Sequence, residues 1–236
     1  NHRWCGDIVI SRDSLVGFPY YQEFIDDLIK SPFAQAATPI IRTFGMNTER
    51  GSGQVFGVRL SEFCRVTGFG QTLHFQTGNK IPSFEVPDIA GVSEQLTAEQ
   101  KKRGCIIGTP GQHRTQIEEI TSWYAVNLNK HWGIGITVFG ISSKGVLVES
   151  NVGDQTFWYV DDSYTGLVDI DQTAMYVDFD ELQELCWMGS QDGKAMRASE
   201  IRVKLADGVD LYDGRAAIAG LWAEFVSRYE AAGQAK

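Results

Sequence analysis

The chain has 236 residues, a net charge of −9, and is 43% hydrophobic and 22% charged. That length suits one or two domains, and the composition is that of a chain that buries a full core, which excludes a disordered or fibrous protein. The acid excess excludes a nucleic-acid footprint and disfavours anionic membranes, and no apolar run approaches the ~18 residues of a membrane span.

In chain order, Asp7 to Ile10 reads as a short strand, and Tyr20 to Lys30 as a helix with Tyr21, Phe24, Ile25, Leu28 and Ile29 on one face, stopped by Ser31-Pro32. Residues 45–91 are rich in Gly and Thr. Their short runs Gln54 to Leu60, Thr72 to Gln76 and Phe84 to Val86 predict a small antiparallel β region. Thr97 to Arg103 is a short helix, with Thr97 and Gln100 spaced as a capping box and Gly104 just past its end. The basic run Lys101-Lys102-Arg103 closes that helix, where the macrodipole favours cations. A second capping box, Thr115 with Glu118, opens a longer helix to about Leu128.

A β-meander follows: Trp132 to Ile141, a turn at 142–145, Val146 to Glu149, a turn over Asn151 to Gln155, then Thr156 to Val160. Asp178 caps a further helix, Glu200 to Leu205 is a strand, and Asp213 caps the last helix, whose apolar face is Ile218, Leu221, Trp222, Phe225 and Tyr229. The alternation of helices with a meander predicts an α+β fold: a single domain over 1–236, with an N-terminal lobe at 1–91 and a main body at 92–236 as a subdivision.

Four cysteines, Cys5, Cys64, Cys105 and Cys186, are widely spaced, with no CxxC pair and no zinc-ligand spacing. Asp169 to Asp180 starts like a calcium loop but carries Ala174 and Asp180 where Gly and Glu belong. The residues imply no cofactor and no metal.

His131 heads the strand His131-Trp132-Gly133-Ile134-Gly135, and the later strand Phe157 to Val160 runs into Asp161-Asp162 before a turn. A cysteine hydrolase needs a thiol near a helix N-terminus, an imidazole as base and acid, and a carboxylate or amide to hold that imidazole's tautomer. The order of these elements over roughly residues 131–187 resembles the C-terminal half of the papain-like cysteine peptidases, especially their toxin and effector branch. The pattern departs at Asp162, which replaces the usual Pro, and in an extra strand. The resemblance implies a thiol hydrolase of peptide or amide bonds, with Cys105 as nucleophile (Cys5 second), His131 as base and Asp161 as its orienter. A variant arrangement resembles CHAP-type amidases, with Cys64, His131, Glu149 and Asn151. Either requires a cysteine sulfur within about 4 Å of a His131 ring nitrogen.

The same residues also suit a structural role, because a histidine at a strand head is commonly hydrogen-bonded in place and Asp favours turns. The competing reading is non-enzymatic: a binding or assembly protein of the virion, secretion-apparatus or toxin-neutralising kind. Both readings predict a protein or peptide partner, and neither fixes the oligomeric state.

Overall fold

The structure, a computed structural model, describes residues 2–12, 16–48, 51–78, 81–88, 93–109, 133–142, 144–190 and 194–231. It is an α+β fold built on an eight-stranded mixed sheet. In chain order the elements are α1 (His2–Cys5), β1 (Ile8–Ser11), β2 (Phe18–Pro19), α2 (Tyr21–Lys30), β3 (Ala34–Asn47), β4 (Gly51–Val58), α3 (Leu60–Val66), α4 (Ala98–Lys102) and β5 (Gly104–Gly108). Then come β6 (Gly133–Ile141), β7 (Leu147–Ser163), α5 (Val168–Thr173), β8 (Ala174–Asp178), α6 (Phe179–Leu185), β9 (Arg197–Ala198), β10 (Glu200–Leu205) and α7 (Leu211–Ala231). Among the described residues no helix is long and apolar enough to cross a membrane.

The strand order is β1-β10-β3-β4-β8-β5-β7-β6, and β6 returns to pair with β3. The two ends of β3 have different neighbours on one edge. Its first half, Ala34 to Ile40, lies antiparallel to β10, and Gly45 to Asn47 lies antiparallel to β6. Six strands therefore close into a ring, with β10 and β1 as a wing beside it. Strands from both sides of residue 91 share this one sheet.

Side chains divide by the period of two that a strand imposes. In β8, Met175 and Val177 face one core cluster while Ala174 and Tyr176 face the other, and in β5, Cys105 and Ile106 divide likewise. The first cluster takes Val55, Ile134, Ile136, Val138 and Phe157, together with residues of α2, α6 and α7. Helix α6 touches β3, β4, β6, β7 and β8 and so caps the ring. The second cluster, on the outer face, is covered by Trp4, Leu60, Phe63, Phe69, Leu73, Phe84 and Val86. Each such side chain, fully buried, contributes about 1.5–3 kcal/mol of transfer free energy.

The predicted strand at Asp7 to Ile10 and the helix from Tyr20 are present as β1 and α2. The capping box is formed: Thr97 Oγ1 accepts from the Gln100 N–H and Gln100 Oε1 from the Thr97 N–H. The predicted meander differs. Asn151 to Gln155 is not a turn but the middle of β7, in register with β6 from Val152 opposite Phe139 to Gln155 opposite Ile136. Gly153 there answers packing rather than chain reversal, since a Cβ would lie 2.8 Å from the Leu185 carbonyl oxygen. Thr72 to Gln76 is likewise a loop, tied to β7 by an isolated bridge from Leu73 to Ser163. Asp210, not Asp213, receives the Tyr212 N–H at the start of α7. The predicted helix from Thr115 lies outside the described residues.

Candidate functional site

Of the predicted catalytic residues, Cys105 and Asp161 are among the described residues. Cys105 sits in β5 with no solvent exposure, within the first core cluster, and burial pushes its thiol pKa well above the ordinary value. No helix N-terminus adjoins it among the described residues; β5 follows the C-terminal end of α4. A reactive thiol needs the opposite environment, electropositive and accessible. Burial likewise drives Cys64 and Cys186 up to about 12. His131 lies outside the described residues, as do the side chains of Glu149 and Asn151.

Asp161 is fully buried, and its carboxylate is filled by backbone donors. Oδ1 accepts the N–H groups of His74 at 3.0 Å, Phe75 at 2.9 Å and Asp162 at 2.8 Å, and Oδ2 accepts that of Gln76 at 2.9 Å. Burial raises its pKa to about 6, against the pull of those four donors. Two neighbouring carboxylates do similar work. Asp162 accepts the Thr109 hydroxyl at 3.0 Å. Asp171 accepts the Thr165 N–H and hydroxyl, both at 2.8 Å, and the Gly166 N–H at 2.9 Å. These acids pin loops to the sheet. The Asp171 carboxylate, within the stretch that starts like a calcium loop, is committed to the turn before α5, and no group of potential metal ligands occurs among the described residues.

The feature with open binding capacity lies on the wing. β1 pairs with β10 on one edge and is the outermost strand, so its other edge has no strand partner among the described residues. Ile8 and Ile10 pack on the core while Val9, 41% exposed, and Ser11 point outward. All four line a cleft of about 1030 Å³ together with Arg12, Phe18, Ile218, Trp222 and Phe225. Because residues from both faces of β1 border it, the cleft runs along the strand's free edge, with α7 opposite.

Its floor is held by aromatic packing. The Phe18 and Trp222 rings meet edge-on at 5.7 Å, and Phe24 of α2 meets Trp222 at 4.8 Å and Phe225 at 5.1 Å. β2 is anchored through β9. Gly17, at φ +68°, must be glycine because a Cβ would sit 2.4 Å from the Ala198 carbonyl oxygen. The buried Arg197 guanidinium donates to the carbonyls of Val16 at 3.0 Å and Ile141 at 2.9 Å, and to that of Trp187. At the rim, Arg12 and Arg215 are exposed, and neither pairs with a carboxylate among the described residues. The one acid lining the cleft among the described residues, Asp7, accepts the Leu205 N–H at 2.9 Å.

The sequence reading placed the apolar face of α7 in the core, which holds for Ile218 and Phe225, 5% and 4% exposed. That the same face also borders a cleft was hidden. The only local signal was width: five large apolar residues on a helix flanked by an unprotected edge strand.

No family model matches the chain, and no curated protein matches it in sequence. Among solved structures it is similar to the periplasmic region of MacB from Actinobacillus actinomycetemcomitans, with 10% identity and a TM-score of 0.43 over 92% of this chain and 75% of that one. It is also similar to the extracellular domain of the noncanonic ABC-type transporter YknZ from Gram-positive bacteria, with 12% identity and a TM-score of 0.40 over 87% and 86%. The expectation of a papain-like thiol hydrolase is corrected: Cys105 is sealed in the sheet without solvent exposure, and Asp161 is committed to backbone donors.

Proposed function

We propose that this chain is a non-enzymatic binding domain that engages a protein partner through the cleft between β1 and α7. The observation that carries the reading is the open edge of β1 facing an apolar floor. Proteins ordinarily blunt an edge strand with Lys, Pro, a bulge or a covering element, whereas Ile8-Val9-Ile10-Ser11 carries none of the first three and is separated from α7 by the cleft. A concave apolar surface with a few placed polar groups is the form a binding site takes.

Site-specific cross-linking in the cells of origin tests this. Photoactivatable benzoylphenylalanine replacing Val9 or Leu211, at the cleft, is expected to capture one discrete partner protein. The same group replacing Glu99 on α4 is expected to capture none. Equal capture from all three positions, or from none, overturns the reading.

A further inference from the structure

We propose that the cleft takes an extended, acid-bearing peptide segment of the partner as an added strand on β1, a proposal that rests on the cleft being the binding surface. Three observations specify this occupant. The first is the backbone edge: among the described residues β1 has its β10 ladder on one side only, so its outward N–H and C=O groups suit an extended chain. Four residues at about 3.3 Å each give an edge about 13 Å long, enough for a segment of four or five residues.

The second is the floor. Phe18, Ile218, Trp222 and Phe225 lie to one side of the edge, so every second side chain of an added strand would turn onto an aromatic and aliphatic surface while the alternate ones face water. The third is charge. The chain has a net charge of −9, yet among the described residues the two exposed rim cations, Arg12 and Arg215, have no carboxylate partner, and the one lining acid, Asp7, accepts the Leu205 N–H. A segment carrying Glu or Asp at the solvent-facing positions supplies the missing charges, and a basic segment is repelled.

The probes are three blocked hexapeptides: valine alternating with glutamate, valine alternating with lysine, and the glutamate peptide N-methylated at alternate peptide bonds. Binding is read from amide chemical shifts of the whole chain, and strand addition from hydrogen exchange of the β1 amides. The glutamate peptide is expected to shift cleft resonances and to slow exchange at one or more of the Val9, Ile10 and Ser11 amides by at least about tenfold. The lysine peptide, the N-methylated peptide, and the glutamate peptide on an Arg12→Glu/Arg215→Glu variant are each expected to bind at least about tenfold more weakly. Both arginines are exposed, so the variant keeps its fold, which circular dichroism checks.

Cleft shifts without β1 protection, or equal binding of the N-methylated peptide, overturn strand addition while leaving the cleft a binding surface. Equal binding of the lysine peptide overturns the acidic specificity. No cleft shift with any peptide at millimolar concentration overturns strand addition altogether. The cross-linking at Val9 and Leu211 decides the binding reading independently.

Discussion

The Trp4 indole N–H donates to the Tyr176 hydroxyl at 2.8 Å, joining α1 to the middle of the sheet across 172 residues of sequence. Both side chains are buried. The Trp4 ring also stands edge-on to Phe56 at 5.4 Å and lies under the Arg202 guanidinium at 4.7 Å. Removing one partner strands the other's polar atom in an apolar cluster. Trp4→Phe and Tyr176→Phe should each destabilise by about 1–3 kcal/mol. The double variant should lose about 1 kcal/mol less than the sum of the two, as urea unfolding of all four proteins would show. Additive losses would mean the bond contributes nothing.

Asp161 gives stability a defined pH dependence. Its folded-state pKa, about 6, lies above the 3.8 of an unperturbed carboxyl, with burial the main cause. Folding therefore takes up a proton between these values. The contribution is fully present below about pH 4 and is lost as pH rises through about 6, and the two-unit shift corresponds to about 3 kcal/mol. Asp161→Asn keeps an acceptor but turns an amide NH2 toward a backbone donor, so at pH 4 it should be less stable than wild type by about 1–3 kcal/mol. That gap should narrow between pH 4 and 7 as wild type alone weakens. A gap that widens with pH would show that the four N–H donors outweigh burial and that the pKa is lowered instead.

Two glycines should respond oppositely to alanine. Gly104, at the start of β5, lies against the segment crossing it, and a Cβ would fall 1.9 Å from the Phe84 carbonyl oxygen. Gly104→Ala must displace backbone and should destabilise by about 1–3 kcal/mol or more. Gly220, inside α7, has open space where its Cβ would go, so Gly220→Ala should stabilise by roughly 0.5–1 kcal/mol through helix propensity alone. Thermal unfolding of the pair checks both signs.

Thiol labelling separates the buried cysteines from reactive ones. Cys105 and Cys186 are 0% and 2% exposed, with burial raising both thiol pKa values. Iodoacetamide at neutral pH should modify them only at the rate of unfolding, and fully in denaturant. Rapid modification of Cys105 in the native protein, located by mass spectrometry, would restore the case for a thiol nucleophile.

The elements with a clean period or a capping signal were legible in the sequence: α2, α4, α6, α7, β1 and β10. β8 was not. Ala174-Met175-Tyr176-Val177 is covered on both faces, so it shows no alternation and is too short to stand out. β3 was hidden by its alanines and by Pro39, which breaks a strand pattern; the ladder to β4 begins only at Ile40, so at Pro39 β3 has β10 as its single strand neighbour among the described residues. At the site, the sequence placed Asp161 correctly at a strand end before a turn. The backbone N–H groups that fill its carboxylate were not legible there, because three of the four come from residues 74–76, far away in the chain. The cleft was illegible for the same kind of reason: it exists only where the first strand of the chain meets the last helix.

The double neighbourhood of β3 also governs how the chain can fold. Its first half waits for β10 and its second half for β6, both far downstream of it, so neither the ring nor the wing can finish from local contacts. Loop closure must precede most of the sheet's reward, which places this chain among slow folders of high contact order. Until β10 arrives, Ala34 to Ile40 lacks its ladder partner. A chaperone that shields that segment would keep its unpaired edge from joining another chain before β10 is made.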